Sequence, residues 1–138
     1  MAYRELSNRN DVIDSRDVIE RIEELEDERQ EIVDATYETE EERKRDLLAW
    51  EEDNHSELFA LKHLEDECSG VPDWSYGETL IRYSYFKEYV QELCEDIGDI
   101  PRDIPSYIEI DWEKTADNLK VDYTTVDFDG VEYFVRNC

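Results

Sequence analysis

Hydrophobic positions in the first 70 residues recur at helical spacing, whereas later in the chain they shift to short runs rich in β-formers. Val18, Ile22, Leu25, Arg29 and Ile32 step by four and three residues, and Ile19 and Val33 widen the stripe. This spacing predicts a helix over residues 16–35 with one buried face, capped by Asp14 or Ser15. Thr36, Tyr37 and Glu38 interrupt the pattern. Thr39 followed by Glu42 then forms a capping box, a reciprocal pair that satisfies orphan N–H groups and starts a second helix. Its apolar positions are Leu47, Leu48, Trp50, Leu58, Phe59, Leu61, Leu64 and Cys68. A polar break at residues 53–56 is expected to kink the helix or hold a short loop, and Gly70 and Pro72 end it. Two helices with so short a joint predict an antiparallel helical hairpin.

No glycine or proline occurs in residues 1–69, which sets this region apart from residues 71–138. The aromatic stretch 73–80, DWSYGETL, predicts a loop or short strand over the core. Tyr85, Phe86, Tyr89, Val90, Leu93, Cys94 and Ile97 then form a helical stripe over residues 82–97, with Gly98 in the C′ position. Pro101 and Pro105 bracket a turn-rich connection, and Tyr107, Ile108 and Ile110 are a candidate third strand. Trp112, Ala116 and Leu119 predict a short helix over residues 111–120, capped by Asp111. Tyr123, Val126 and Phe128, then Val131, Tyr133 and Val135, flank Asp129-Gly130. That dipeptide supplies the two positive φ angles of a type I′ hairpin turn. The expected fold is α+β and mostly helical: an acidic helical hairpin (residues 1–70), then a small α+β module (residues 71–138) ending in a helix and a β-hairpin.

Composition changes this picture in one respect, the charge. The 138 residues include 40 Asp and Glu against 15 Lys and Arg, a net charge of −25. Charged residues make up 40% of the chain, where about a quarter is usual. Such a surface repels nucleic acid and anionic membrane and suits a basic partner. The hydrophobic fraction of 39% is nonetheless enough for a real core. Cys68, Cys94 and Cys138 lack metal-ligand spacing and read as reduced thiols. The N-terminus has no apolar core of a signal peptide, and no run of 18 apolar residues occurs, so a soluble cytoplasmic protein is expected.

Catalytic motifs fail one by one. No P-loop, dinucleotide fingerprint, HExxH or paired-cysteine pattern is present. His55 and His63 are eight residues apart, too far to chelate one ion together, and His63 with Glu67 supplies only two ligands. Asp127, Asp129 and Gly130 resemble part of a calcium loop, but the register places Arg136 where a bidentate glutamate belongs. Cys94 lies on an apolar stripe and reads as a core thiol. The expectation is a non-enzyme with no metal and no cofactor.

The acids themselves are patterned. Glu20, Glu24, Asp27 and Glu31 step along the first helix opposite its apolar stripe, and Glu88, Glu92, Glu95, Asp96 and Asp99 follow on and after the third. Residues 17–35 hold nine acids and two bases, roughly one net charge per 4 Å of helix axis. Duplex DNA carries one per about 1.7 Å, and a second acidic helix alongside would narrow the difference. A solvated acidic face is the ordinary reading of such a row. Here the excess runs through every predicted element, beyond what solubility requires.

The succession YFKEYVQELCEDIGDIP (85–101), IPSYIEIDWEKTADNL (104–119) and VDYTTVDFDGVEYFVR (121–136) resembles the C-terminal module of ArdA-type antirestriction proteins. The shared features are an acidic amphipathic helix, an Ile-Asp-aromatic lead-in to a second helix containing an alanine, and a terminal strand pair ending in an aromatic and an arginine. The resemblance covers about 52 of 138 residues. It implies an elongated, dimeric, acidic mimic of bent DNA, carried by phages and mobile elements, that occupies the DNA site of a restriction enzyme. Asp117, Asp122, Asp127 and Glu132 then join the candidates for display. Residues 1–70 do not resemble that family's N-terminal domains. The expected function is inhibition of a bacterial DNA-binding defence complex, of restriction-modification or CRISPR type, through its basic groove. The alternative is an adaptor that self-associates through Ile22, Leu25 and Ile32.

Overall fold

A computed structural model describes residues 6–98 and 105–136. Four short antiparallel strands form one sheet, β1 (Val12–Asp14), β2 (Thr79–Arg82), β3 (Tyr123–Phe128) and β4 (Val131–Arg136), in the order β1-β2-β4-β3. Helices α1 (Ser15–Asp34) and α2 (Glu40–Glu67) cover one face, and α4 (Phe86–Asp96) and α5 (Trp112–Leu119) cover the other. A one-turn helix, α3 (Trp74–Gly77), leads into β2. The class is α+β and mostly helical, with helices followed by a C-terminal hairpin, as the periodicity predicts.

The pleat explains how six-residue strands hold two cores. Successive side chains on a strand point to opposite faces. Leu80, Tyr133, Val135, Val126 and Phe128 therefore meet Val18, Ile22, Leu25, Leu61, Leu64 and Cys68 on the hairpin side. Ile81 and Phe134 meet Phe86, Val90 and Ala116 on the other. The Phe86 and Phe134 rings lie 4.4 Å apart between centroids. Register follows from the turn: Asp129 and Gly130 take φ of 51° and 85°, and the pairs run from Phe128 with Val131 to Tyr123 with Arg136. Helix starts obey the local signals too. Asp14 accepts from the Arg16 N–H, Thr39 from Glu42 and Asp111 from Lys114.

Several expectations change. The stretch 107–110 is not a strand: Ile108 N–H closes a turn on the Pro105 carbonyl, and Tyr107 is exposed. β4 already has a neighbour on each side, and the extra strands come from the end of the stretch 73–80, expected as a loop or short strand, and from residues ahead of α1. The helix expected over residues 82–97 begins later, because Arg82 ends β2 and Tyr83–Tyr85 is a 3-10 turn. α2 runs unbroken through residues 53–56. Residues on both sides of the expected boundary at 70 share one core. Pro101, Cys138 and Asp99 lie outside the described residues.

Ser15 joins those regions. Its buried hydroxyl donates to the Trp74 carbonyl and accepts from the Glu78 N–H, both at 2.7 Å, while its own N–H donates to the Glu78 carbonyl at 2.8 Å. This clamp ties the β1–α1 junction to the start of β2.

Candidate acidic partner-binding surface

Length mismatch creates the surface. A 28-residue helix is about 42 Å long, whereas a six-residue strand spans about 20 Å. Only Ser15, Val18, Ile22 and Leu25 of α1, and Leu61 and Leu64 of α2, are buried. No residue from 26 to 57 is buried, so this part of the hairpin projects as an arm beyond the sheet.

Cross-helix contacts hold the arm together. Where it leaves the sheet, Arg21 makes a two-pronged pair with Glu57, Nε to Oε2 at 2.7 Å and Nη2 to Oε1 at 3.1 Å. Further out, Trp50 Nε1 donates to Glu28 at 3.2 Å and Arg29 lies 3.5 Å from Glu51. At the tip Arg43 pairs with Glu40, donates to the Ala35 carbonyl at 2.8 Å and sits over the Tyr37 ring. The Tyr37 hydroxyl donates to Asp46, and that hydrogen bond pushes the phenol pKa up. Arg21, Arg29 and Arg43 thus spend their charge inside the hairpin.

Residues 26–57 contain 14 acids and four bases, a net charge of −10. Along the 18 arm residues of α2 this amounts to about one net charge per 2.7 Å of axis. Pairing two helices therefore brings the array closer to the DNA value than α1 alone does. No basic residue stands in the last turn of either helix, so Glu31 and Asp34 also oppose the negative end of the α1 dipole.

The expected acids divide between layers. Glu20, Asp27 and Glu31 are exposed on α1, whereas Glu24 is half-buried, with a shielded Oε1 3.6 Å from Arg21. Glu88, Glu92 and Asp96 are exposed on α4 and Glu95 is partly buried; Glu92 accepts from the Tyr85 hydroxyl at 3.2 Å. α1 and α4 pack on opposite faces of the sheet, so the two rows do not form one surface. Asp117, Asp122 and Glu132 are exposed, and Asp127 is partly buried at the hairpin edge. The exposed acids at the tip, Glu38, Glu40 and Glu41, were missed. Their signal was the short joint at residues 36–39, which folds the α2 start back beside the acidic end of α1.

The proposed self-association face is corrected. Ile22 and Leu25 are 5% and 0% exposed, packed in the core beneath the hairpin, and Ile32 is partly buried between the helices. A second chain cannot reach the first two without unfolding this one.

Among the described residues, no three His, Cys, Asp or Glu side chains are grouped to hold a metal ion, and no helix is long and apolar enough to cross a membrane. A depression of about 400 Å³ beside Tyr83 contains Lys120, but its ammonium is paired with Asp117 at 2.9 Å and lies over the Tyr83 ring. No family model, curated protein or solved structure matches the chain.

Proposed function

We propose that the protein is a non-catalytic DNA mimic that inhibits a bacterial DNA-binding defence complex by occupying its DNA site in the cytoplasm. The observation carrying this reading is the arm: two acidic helices held side by side, projecting from the core, with a net charge of −10 over residues 26–57. An extended rod of closely spaced carboxylates offers a basic groove the same inducement as a phosphate backbone, release of the cations gathered along the rod. The internal arginine pairs support this by fixing the array before binding, which lowers the ordering cost of association. The resemblance of residues 85–136 to the ArdA-type module points the same way. Restriction-modification and CRISPR-type effectors are the partner class.

The test is capture of partners from a bacterial lysate by the wild-type chain and by a Glu20→Lys, Asp27→Lys, Glu31→Lys variant, eluted in rising salt. The wild type is expected to retain a DNA-processing complex at 50 mM salt and to lose about a thousandfold in affinity by 200 mM, as six or more phosphate-like contacts would give. The variant is expected to lose the complex while keeping its wild-type mass in solution. Retention by the variant, or salt-insensitive capture, counts against the reading.

A further inference from the structure

α2 carries apolar residues on two faces, and its outer face has a use that the core does not explain. Leu61 and Leu64 point inward, yet Phe59 is 65% exposed and Leu48 is 61% exposed. Tyr76 and Tyr107 are more exposed still, and what sets Phe59 apart is the pair of imidazole rings beside it. Its ring is held by neighbours one turn away on either side: His63 lies parallel within 3° at 6.3 Å, and His55 is tilted by 36° at 6.0 Å. Together the three rings make an aromatic platform on the outer face of α2.

Across from this platform stands the β3–β4 turn, and the two enclose a recess of about 420 Å³. Asp127, Asp129 and Gly130 form its far wall. Hydrogen bonds brace that wall. Glu67 of α2 accepts the Asp127 N–H at 3.0 Å, Asp127 Oδ2 accepts the Gly130 N–H at 3.3 Å, and Asn8 donates to the Asp129 carbonyl at 3.0 Å.

We infer that this recess receives an arginine side chain of the basic protein partner, its guanidinium stacked on Phe59 with its charge toward Asp127 and Asp129. An aromatic face beside carboxylates is the combination that suits a planar cation. Arginine fits better than lysine, since guanidinium is flat, weakly hydrated and able to stack. Charge complementarity selects the occupant: an anionic ligand meets two carboxylates, and a second copy of this chain brings a net charge of −25. The inference rests on the basic-partner reading and supplies an anchor at the base of the arm, whose charge alone does not tell one cation from another.

The experiment is calorimetric titration of the intact chain with hexa-arginine and hexa-lysine peptides at low salt, for the wild type, Phe59→Ala and Asp129→Asn. The wild type is expected to prefer hexa-arginine by about fivefold, the size of a moderately exposed cation–π contact. Phe59→Ala is expected to erase that preference by weakening only the arginine peptide. Asp129→Asn keeps a residue that tolerates positive φ and is expected to weaken both peptides together. Phe59 is outside the core, so an unchanged melting temperature confirms that the variant is folded. A preference that survives Phe59→Ala overturns the inference. Loss of the preference in that variant establishes the recess even where duplex DNA fails to displace the wild type from its partner, the separate outcome that sinks DNA mimicry.

Discussion

Ser15 holds two backbone groups through its buried hydroxyl, and Ser15→Ala removes that bond from both the Glu78 N–H and the Trp74 carbonyl. Stranding a buried polar group costs roughly 1–3 kcal/mol, so thermal unfolding of Ser15→Ala is expected several degrees below wild type. Exposed Ser75→Ala is expected to melt within a degree. Cys68 and Tyr133 make a second prediction at this scale. Burial, reinforced by the Glu67 and Glu78 carboxylates, pushes the Cys68 thiol up to about 12, and burial pushes the Tyr133 phenol up to about 12. Both folded values exceed the unfolded ones, about 8.5 and 10. Their protonated forms therefore contribute stability that is complete below about pH 8 and lost as pH rises toward 12. Melting curves across pH 8–11 are expected to show a steady alkaline decline, shallower in Cys68→Ala; a flat wild-type profile would contradict the assignment. The residue-scale features legible in the sequence are the local ones. Asp14, Thr39 and Asp111 cap through groups two or three residues away, and Asp129-Gly130 encodes its own turn. The Ser15 clamp was invisible, because its partners Trp74 and Glu78 are 59 and 63 residues distant.

At the scale of elements, the long periodic segments α1, α2 and α4 and the β3–β4 hairpin were readable, whereas β1 was not and β2 was open between a loop and a short strand. Strands of three and four residues show too little alternation to stand out, and they exist because β4 offers them a pairing edge. For α2 the difficulty was the reverse. Its apolar positions were readable but not the face each takes: Leu48 and Phe59 turn away from the core, and only the position of the sheet decides between the two faces. The tip of the hairpin gives this scale its prediction. Arg43 joins Ala35, Tyr37 and Glu40, so Arg43→Ala is expected to speed amide exchange at least tenfold in residues 33–42. Global stability is expected to change by less than about 1 kcal/mol, since Arg43 lies at the tip, beyond the fully buried residues of both helices. Hydrogen-exchange mass spectrometry checks this directly; equal protection in both proteins would show that the tip does not depend on the clasp.

For the whole molecule, the sheet that organises the fold also separates its charges. The sequence placed acids on α1 and α4 without saying that a sheet lies between them, and it treated Ile22 and Leu25 as free for a partner when they are needed beneath the hairpin. What it could not supply was distance along the third dimension, namely how far the helices extend past the strands that anchor them. That overhang turns an acidic composition into an arm, and the account depends on the arm being read by a partner as nucleic acid. The direct test is competition: the wild-type chain and a duplex DNA fragment are titrated against the complex captured from bacterial lysate, at 50 mM and 200 mM salt. The account predicts mutually exclusive binding, with both ligands weakening steeply and in parallel as salt rises. A ternary assembly containing protein and DNA together, or protein binding that ignores salt while DNA binding falls, would contradict it.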